Sequence, residues 1–125
     1  MENVAKHFLM VVYVYVKHLY LFKIDMPLYK KWSAFNKENV LAETDAYGVY
    51  ELGDRNGEIV YIGQGRISSR LNSHFLSGRH PIPRTSLYRV EIIGSKKRAE
   101  QRERAEIRAY MRTHGTCPSY NDRLG

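Results

Sequence analysis

The stretch YGVYELGDRNGEIVYIG, Tyr47 to Gly63, decides the fold. Its ends nearly mirror each other, Gly-Val-Tyr at 48–50 and Tyr-Ile-Gly at 61–63. Between them, Asp54-Arg55-Asn56-Gly57 carries the Asn-Gly pair that supplies positive φ angles to a hairpin turn. The flanking runs are rich in Val, Ile and Tyr, which suit a pleated, half-buried surface. Two antiparallel strands are predicted, over residues 47–52 and 58–62.

Working outward, GRISSRLNSHF (65–75) brings Ile67, Leu71 and Phe75 into helical spacing. Arg70 and His74 are four residues apart, so they neighbour each other at the edge of that apolar stripe. GRHPIPR (78–84) reads as a loop and SLYRVEII (86–93) as a third strand. Ser95 then caps a long helix, KKRAEQRERAEIRAYMRTH, with Gly115 at its end and Pro118 beyond. Upstream, residues 27–41 carry Trp32, Phe35, Val40 and Leu41 as apolar anchors and fit one or two short helices. The fold class is therefore α+β: a small three-stranded antiparallel sheet flanked by helices, in a single domain over residues 26–125.

The first 25 residues are different in kind. FLMVVYVYV (8–16) is a continuous apolar run, too short for a spanning helix and without the cleavage site of a secretory signal. Residues 1–25 are expected to be a weakly integrated apolar extension, arising from an upstream start or present as an added strand. No membrane partner is expected. The oligomeric state is not legible.

Charge is strongly localised. The chain has a net charge of +7, and between Gln64 and Arg112 there are 12 basic and 4 acidic residues, a net of +8. The whole excess thus lies in one contiguous segment, whose field attracts polyanions, with nucleic acid the commonest. A lone cysteine, Cys117, cannot form a disulfide within the chain, and no Cys/His cluster has zinc spacing. A reducing, cytoplasmic setting is expected.

The order of hairpin, Arg/His helix, third strand, Glu-bearing helix and Pro-Ser-Tyr-Asn tail resembles the GIY-YIG nuclease domain. The resemblance rests on GVY at 48–50, YIG at 61–63, RLNSHF at 70–75, the Ala99/Glu103/Ile107 spacing and Pro118 to Asn121. It implies an endonuclease hydrolysing DNA phosphodiesters, duplex or branched, with one divalent ion, Mg²⁺ or Mn²⁺. By resemblance, Tyr50 and Tyr61 lie near the attacking water, Arg70 holds the scissile phosphate, His74 assists, a Glu of the long helix binds the metal, and Asn121 supports the site from the tail.

Physical chemistry is compatible with these roles. A hard cation that keeps several waters can be held by a single carboxylate. The arginine fork suits a phosphate. A tyrosine acts as a base only if a neighbouring charge lowers its pKa. Ala99, Ile107 and Tyr110 form the expected apolar stripe of the long helix. At about 100° per residue, Glu103 falls inside that stripe and Glu106 at its edge. Glu103 is the expected metal ligand, with Glu106 the alternate. Arg98, Arg102, Arg104, Arg108 and Arg112 are expected on the opposite, solvated side. Arg66, Arg79, Arg84, Arg104 and Arg108 are the expected nucleic-acid contacts. Two other readings stay open: a non-catalytic nucleic-acid binding module on the same fold, and a basic domain binding an acidic protein.

Overall fold

The hairpin forms as its turn chemistry dictates. In a computed structural model, which describes Leu28 and residues 31–121, the first long strand runs Tyr47–Gly53 and its partner Ile59–Arg66. The turn between them differs in detail from the Asn-Gly expectation. Gly57 has φ +80°, whereas among the described residues no residue other than glycine has positive φ. The Gly57 N–H donates to the Asp54 carbonyl at 2.9 Å, and the Asp54 carboxylate accepts from the backbone of Asn56 and Glu58 at 2.9 and 3.1 Å. Asp54 thus organises the turn that Asn56 was expected to organise, through an Asx-type bond to the backbone two residues on. The pairing shifts register between Leu52 and Gly53.

In chain order the elements are β1 (Ser33–Ala34), α1 (Lys37–Ala42), β2 (Tyr47–Gly53), β3 (Ile59–Arg66), α2 (Ile67–Ser73), β4 (Leu87–Ile92) and α3 (Lys96–His114). The expected α+β architecture is present, but the antiparallel sheet has four strands, in the order β1-β4-β2-β3, rather than three. The extra strand is two residues long and pairs Ser33 with Tyr88. Two residues carry no readable period-2 pattern, and only the β4 edge makes them a strand. The apolar extension expected over residues 1–25 lies outside the described residues.

Helix ends follow local rules. Asn36 caps α1 by accepting from Asn39 N–H at 2.8 Å, and Ser95 caps α3 by accepting from Arg98 N–H at 3.3 Å. Gly115 closes α3 at φ +78°, bonding to the Met111 carbonyl.

The two faces of the sheet are chemically distinct. Tyr50, Leu52, Tyr61, Tyr88 and Val90 join Val40, Ile67, Leu71 and Ile82 in the apolar core. Register explains this: Leu52 lies opposite both Tyr61 and Tyr88, and Tyr50 opposite Val90. One residue out of phase, Glu51 lies opposite Ile62 and Arg89, and Val49 opposite Glu91. That second face meets α3.

The inward side of α3 corrects the stripe expected for it. Its buried residues are Ala99, Arg102, Ala105 and Glu106, while Ile107 and Tyr110 are half-buried. Arg102, expected among the solvated arginines, is buried between Glu91 at 2.8 Å and Glu106 at 2.7 Å. Glu106, expected at the edge of the stripe, is 2% exposed. The reason lies in the strands: the sheet presents Glu51, Arg89 and Glu91 to the helix, so a charged helix face is complementary. Arg98, Arg104, Arg108 and Arg112 are exposed as expected.

These buried carboxylates carry a pH-dependent term. Burial pushes Glu106 up from 4.5 to about 7, helped by Glu51 and Glu91 and opposed by Arg102. The folded chain therefore holds this proton more tightly than the unfolded chain. Its stabilising contribution is complete below the unfolded value and lost as pH rises through about 7. Over that interval the loss is at most roughly 3 kcal/mol, at 1.36 kcal/mol per pKa unit. Burial raises Glu51 and Glu103 in the same direction. The melting temperature is expected to fall from about pH 5 to about pH 8, and Glu106→Gln is expected to flatten that slope. Thermal denaturation across the interval checks both; equal slopes in the two proteins would remove Glu106 as the cause.

Candidate active site

Tyr50 comes from the middle of β2, and its side chain reaches across β3 at Gly63. A Cβ on Gly63 would lie 2.4 Å from the Tyr50 hydroxyl and 2.7 Å from the Tyr61 ring. Only a glycine lets the two rings meet there, which is the physical reason for the glycine after Tyr-Ile. At Gly65, φ is +137° and a Cβ would lie 2.7 Å from Arg70 Cγ. Arg70 therefore lies over bare backbone as α2 leads away from β3.

His74 forms the C-cap of α2 and is 1% exposed. Its Nδ1 lies 2.8 Å from the His80 carbonyl oxygen, and its Nε2 lies 2.6 Å from the Tyr50 hydroxyl. A carbonyl can only accept, so Nδ1 carries the proton and Nε2 accepts from Tyr50. Burial, reinforced by Arg70, pushes His74 down to about 4 despite the bond to His80. The imidazole is therefore neutral at physiological pH. The Tyr50, Tyr61 and His74 rings are mutually packed, with centroids 5.2 to 6.1 Å apart.

Arg70 faces both phenols. Burial disfavours its charge, but the electrostatic and hydrogen-bonding influence of Tyr50 and Tyr61 outweighs this and holds its pKa above the ordinary value. Its Nε is buried and has no hydrogen-bond partner. A buried donor left unpaired costs about 1–3 kcal/mol, so the site is poised to accept a ligand oxygen. Neither phenol is acidified by these surroundings. Burial raises Tyr50 far above its usual range and raises Tyr61 as well, with Arg70 opposing both shifts.

Glu103, from the second turn of α3, completes the group. It is half-buried and interacts electrostatically with Arg70, Tyr50 and Tyr61. Among the described residues its carboxylate makes no hydrogen bond or ion pair. Burial raises its pKa, with Arg104 and Arg70 opposing. Glu106, one turn on, points to the other cluster and is committed to Arg102. The structure thus brings Tyr50, Tyr61, Arg70, His74 and Glu103 together and leaves Glu106 out.

Asn121 sits beside Tyr61 but acts on backbone. Its Oδ1 accepts from Ile62 N–H at 2.9 Å and its Nδ2 donates to the Ile62 carbonyl at 2.8 Å. With Tyr120 N–H bonded to the Val60 carbonyl at 3.0 Å, the tail covers the outer edge of β3 and holds the strand that carries Tyr61.

The expected nucleic-acid contacts divide into two kinds. Arg79, Arg104 and Arg108 are exposed. Arg66 pairs with Asp45 at 3.5 Å and lies over the Tyr47 ring, and Arg84 pairs with Asp54 at 3.3 Å. Surface pairs of this kind are weak enough to be exchanged for a phosphate.

No group of three or more His, Cys, Asp or Glu suited to a metal ion occurs among the described residues. A cation needing an all-protein cage does not fit this site. A hard ion held by one carboxylate and otherwise by water and phosphate oxygens does fit, because Glu103 has both oxygens uncommitted. No described helix is long and apolar enough to cross a membrane.

Sequence reasoning missed the charged cluster of Glu51, Arg89, Glu91 and Arg102. A signal was present: Arg89-x-Glu91 places two charges at period 2 in a strand, in phase with Glu51 across the sheet.

Comparison with known proteins places this geometry in context. The chain is 36% identical over 74 residues to UvrABC system protein C of Saccharopolyspora erythraea, a match covering 53% of this chain and 10% of that protein. It is 39% identical over 64 residues to UvrABC system protein C of Methylococcus capsulatus, covering 49% of this chain and 10% of the relative. The chain thus corresponds to about a tenth of the length of these relatives. A family model described as a domain of unknown function, DUF7508, matches residues 26–109, a span that takes in the hairpin, Arg70, His74 and Glu103, and the chain belongs to that family.

Proposed function

We propose that this domain is a GIY-YIG-type endonuclease that hydrolyses DNA phosphodiester bonds with one divalent ion, Mg²⁺ or Mn²⁺. One observation carries the reading: a buried, unpartnered Arg70 Nε between two tyrosines, with an uncommitted carboxylate, Glu103, on the facing helix. The partial similarity to UvrABC system protein C supports a nuclease-related module at a coarse level.

In this mechanism Arg70 receives the scissile phosphate, its Nε gaining the acceptor it lacks, and stabilises the charge that builds up on the equatorial oxygens. Tyr61, the more accessible phenol, orients the attacking water by hydrogen bonding. Tyr50 is fully buried, and His74 fixes the direction of its proton, so its oxygen presents a lone pair towards Arg70. Tyr50 and His74 act by positioning. Both phenols stay neutral, because burial raises rather than lowers their pKa values. When bound at Glu103, the ion supplies charge for activating the water and for the leaving oxygen.

Plasmid and branched DNA incubated with Mg²⁺ or Mn²⁺, with and without EDTA, tests the proposal. Metal-dependent nicking abolished by EDTA is expected. Binding without cleavage under every condition would instead support the non-catalytic binding module on the same fold.

Binding itself is expected to be electrostatic, because the excess charge is confined to Gln64–Arg112. Each phosphate contact adds about 0.9 to the slope of log affinity against log salt on duplex DNA. Neutralising Arg104 and Arg108 together is therefore expected to weaken binding to all sequences alike and to flatten the slope by up to about 2. Cleavage at saturating DNA is expected to fall much less. Unchanged binding at every salt concentration would move the DNA path to the Arg66, Arg79 and Arg84 region.

A further inference from the structure

The loop between α2 and β4 does more than connect them. The last carbonyls of α2 have no partner within the helix, and the loop supplies donors. His80 N–H bonds the Ser73 carbonyl at 2.9 Å, and Ile82 N–H bonds the His74 carbonyl at 3.1 Å. Gly78 N–H bonds back to the Phe75 carbonyl at 2.8 Å, which turns the chain over the helix end. Ile82, 2% exposed, then anchors the loop in the core.

Gly78 is where the crossing is tightest. A Cβ there would lie 2.3 Å from the Ser73 carbonyl oxygen, 2.6 Å from the Ser73 carbonyl carbon and 2.9 Å from the Asn72 oxygen. All three are backbone atoms of the helix end, so no side chain can swing aside. The Ser73 oxygen that a side chain at 78 would strike is the one that His80 N–H holds. Bulk at 78 therefore lifts His80 off the helix.

His80 carries the consequence in its backbone. Its carbonyl accepts from His74 Nδ1 at 2.8 Å, whereas the residue itself is exposed, as is Arg79. His74 Nε2 faces the Tyr50 hydroxyl at 2.6 Å, and the Tyr50 oxygen in turn interacts with Arg70. A neutral imidazole has one proton and two nitrogens. The carbonyl draws that proton to Nδ1, so Nε2 accepts and the phenol donates to it. Without the carbonyl, Nε2–H can form and donate to the phenol oxygen. That oxygen then spends a lone pair on His74, and its proton is left to compete with the Arg70 guanidinium.

We infer that Gly78 is a positioning residue of this site: by letting the loop close on α2 it sets, through the His80 carbonyl, the order of protons from His74 through Tyr50 to Arg70. Its effect on cleavage rests on the nuclease reading; its effect on the protons does not.

Long-range nitrogen–proton NMR spectra of the full chain give the tautomer directly, because protonated and bare imidazole nitrogens resonate far apart. In the wild type, His74 is expected to show a protonated Nδ1 and a bare Nε2. Gly78→Ala is expected to move His74 to a mixture or to the opposite tautomer. One glycine inserted after Gly78 slackens the loop without a clash; it is expected to act the same way and serves as the second arm should the alanine variant fold poorly. His80→Ala keeps the carbonyl and is expected to keep the wild-type pattern. Single-turnover cleavage by Gly78→Ala at saturating DNA is expected to fall about tenfold, the effect of one misdirected hydrogen bond, with DNA affinity unchanged. A bare Nδ1 in the wild type, an unmoved tautomer in both loop variants, a shifted one in His80→Ala, or an unchanged rate beside a moved tautomer would each overturn the proposal. Absence of cleavage by the wild type would strike the nuclease reading instead, since the spectra need no DNA.

Discussion

Arg70→Ala is expected to lower the rate of DNA cleavage by about 10²–10³ while the domain remains folded, the usual consequence of removing one preorganised charge stabiliser. The side chain lies over Gly65, beside Tyr50 and Tyr61, and its Nε makes no bond within the protein. The side chain also interacts with Tyr50 and Tyr61, so a modest fall in melting temperature is expected, with the fold retained. Arg70→Lys keeps the charge but loses the planar fork, so it is expected to recover only part of the rate. Single-turnover cleavage at saturating DNA, measured beside thermal melts, separates chemistry from folding. Near-normal turnover by a folded Arg70→Ala protein would sink the assignment.

The two glutamates of α3 are expected to separate just as sharply. Glu103→Gln preserves shape and removes the negative charge that the proposed ion requires, so metal-dependent cleavage is expected to disappear at every Mg²⁺ concentration tested. Glu106→Gln is expected to retain cleavage per folded molecule, because Glu106 is bonded to Arg102 on the charged face of the sheet. Its effect falls on stability, and it is softened in two ways. Arg102 keeps Glu91 at 2.8 Å, and burial already holds the Glu106 carboxyl near half protonation at neutral pH. A metal titration of cleavage for each variant, with melts as control, decides the matter. The reversed pattern would transfer the ligand to Glu106, and normal cleavage by both would place the ion elsewhere.

Much of this molecule was legible without coordinates because its signals are local. The hairpin follows from β-rich runs around Asp54–Gly57, the length of α3 from Ser95 and Gly115, and the joint placement of Arg70 and His74 from a four-residue spacing. Steric and hydrogen-bonding rules acting over a few residues suffice for each. Even where Asn56 was credited with the turn, the correct residue, Asp54, stood in the same four-residue window and acted through the same short-range chemistry.

What the tertiary structure alone decided depends on contacts between distant segments. Glu103 and Glu106 are only about 60° apart around the helix, so both fall in or beside the inward stripe. They are separated only because the sheet beneath α3 places its charged face, with Arg102, around Glu106, while Glu103 lies within electrostatic reach of Arg70, from α2, and of Tyr50 and Tyr61. The tautomer of His74 depends on a carbonyl six residues away in a loop, and the reach of Tyr50 on the absence of a side chain at Gly63 in the neighbouring strand. The burial of Arg102 contradicts the solvated side expected for it, and Glu106 lies deeper than the stripe edge where it was expected. Periodicity reports which side of a helix is turned inward, but the chemistry of that side is set by what it meets, and here it meets a sheet face that is itself charged.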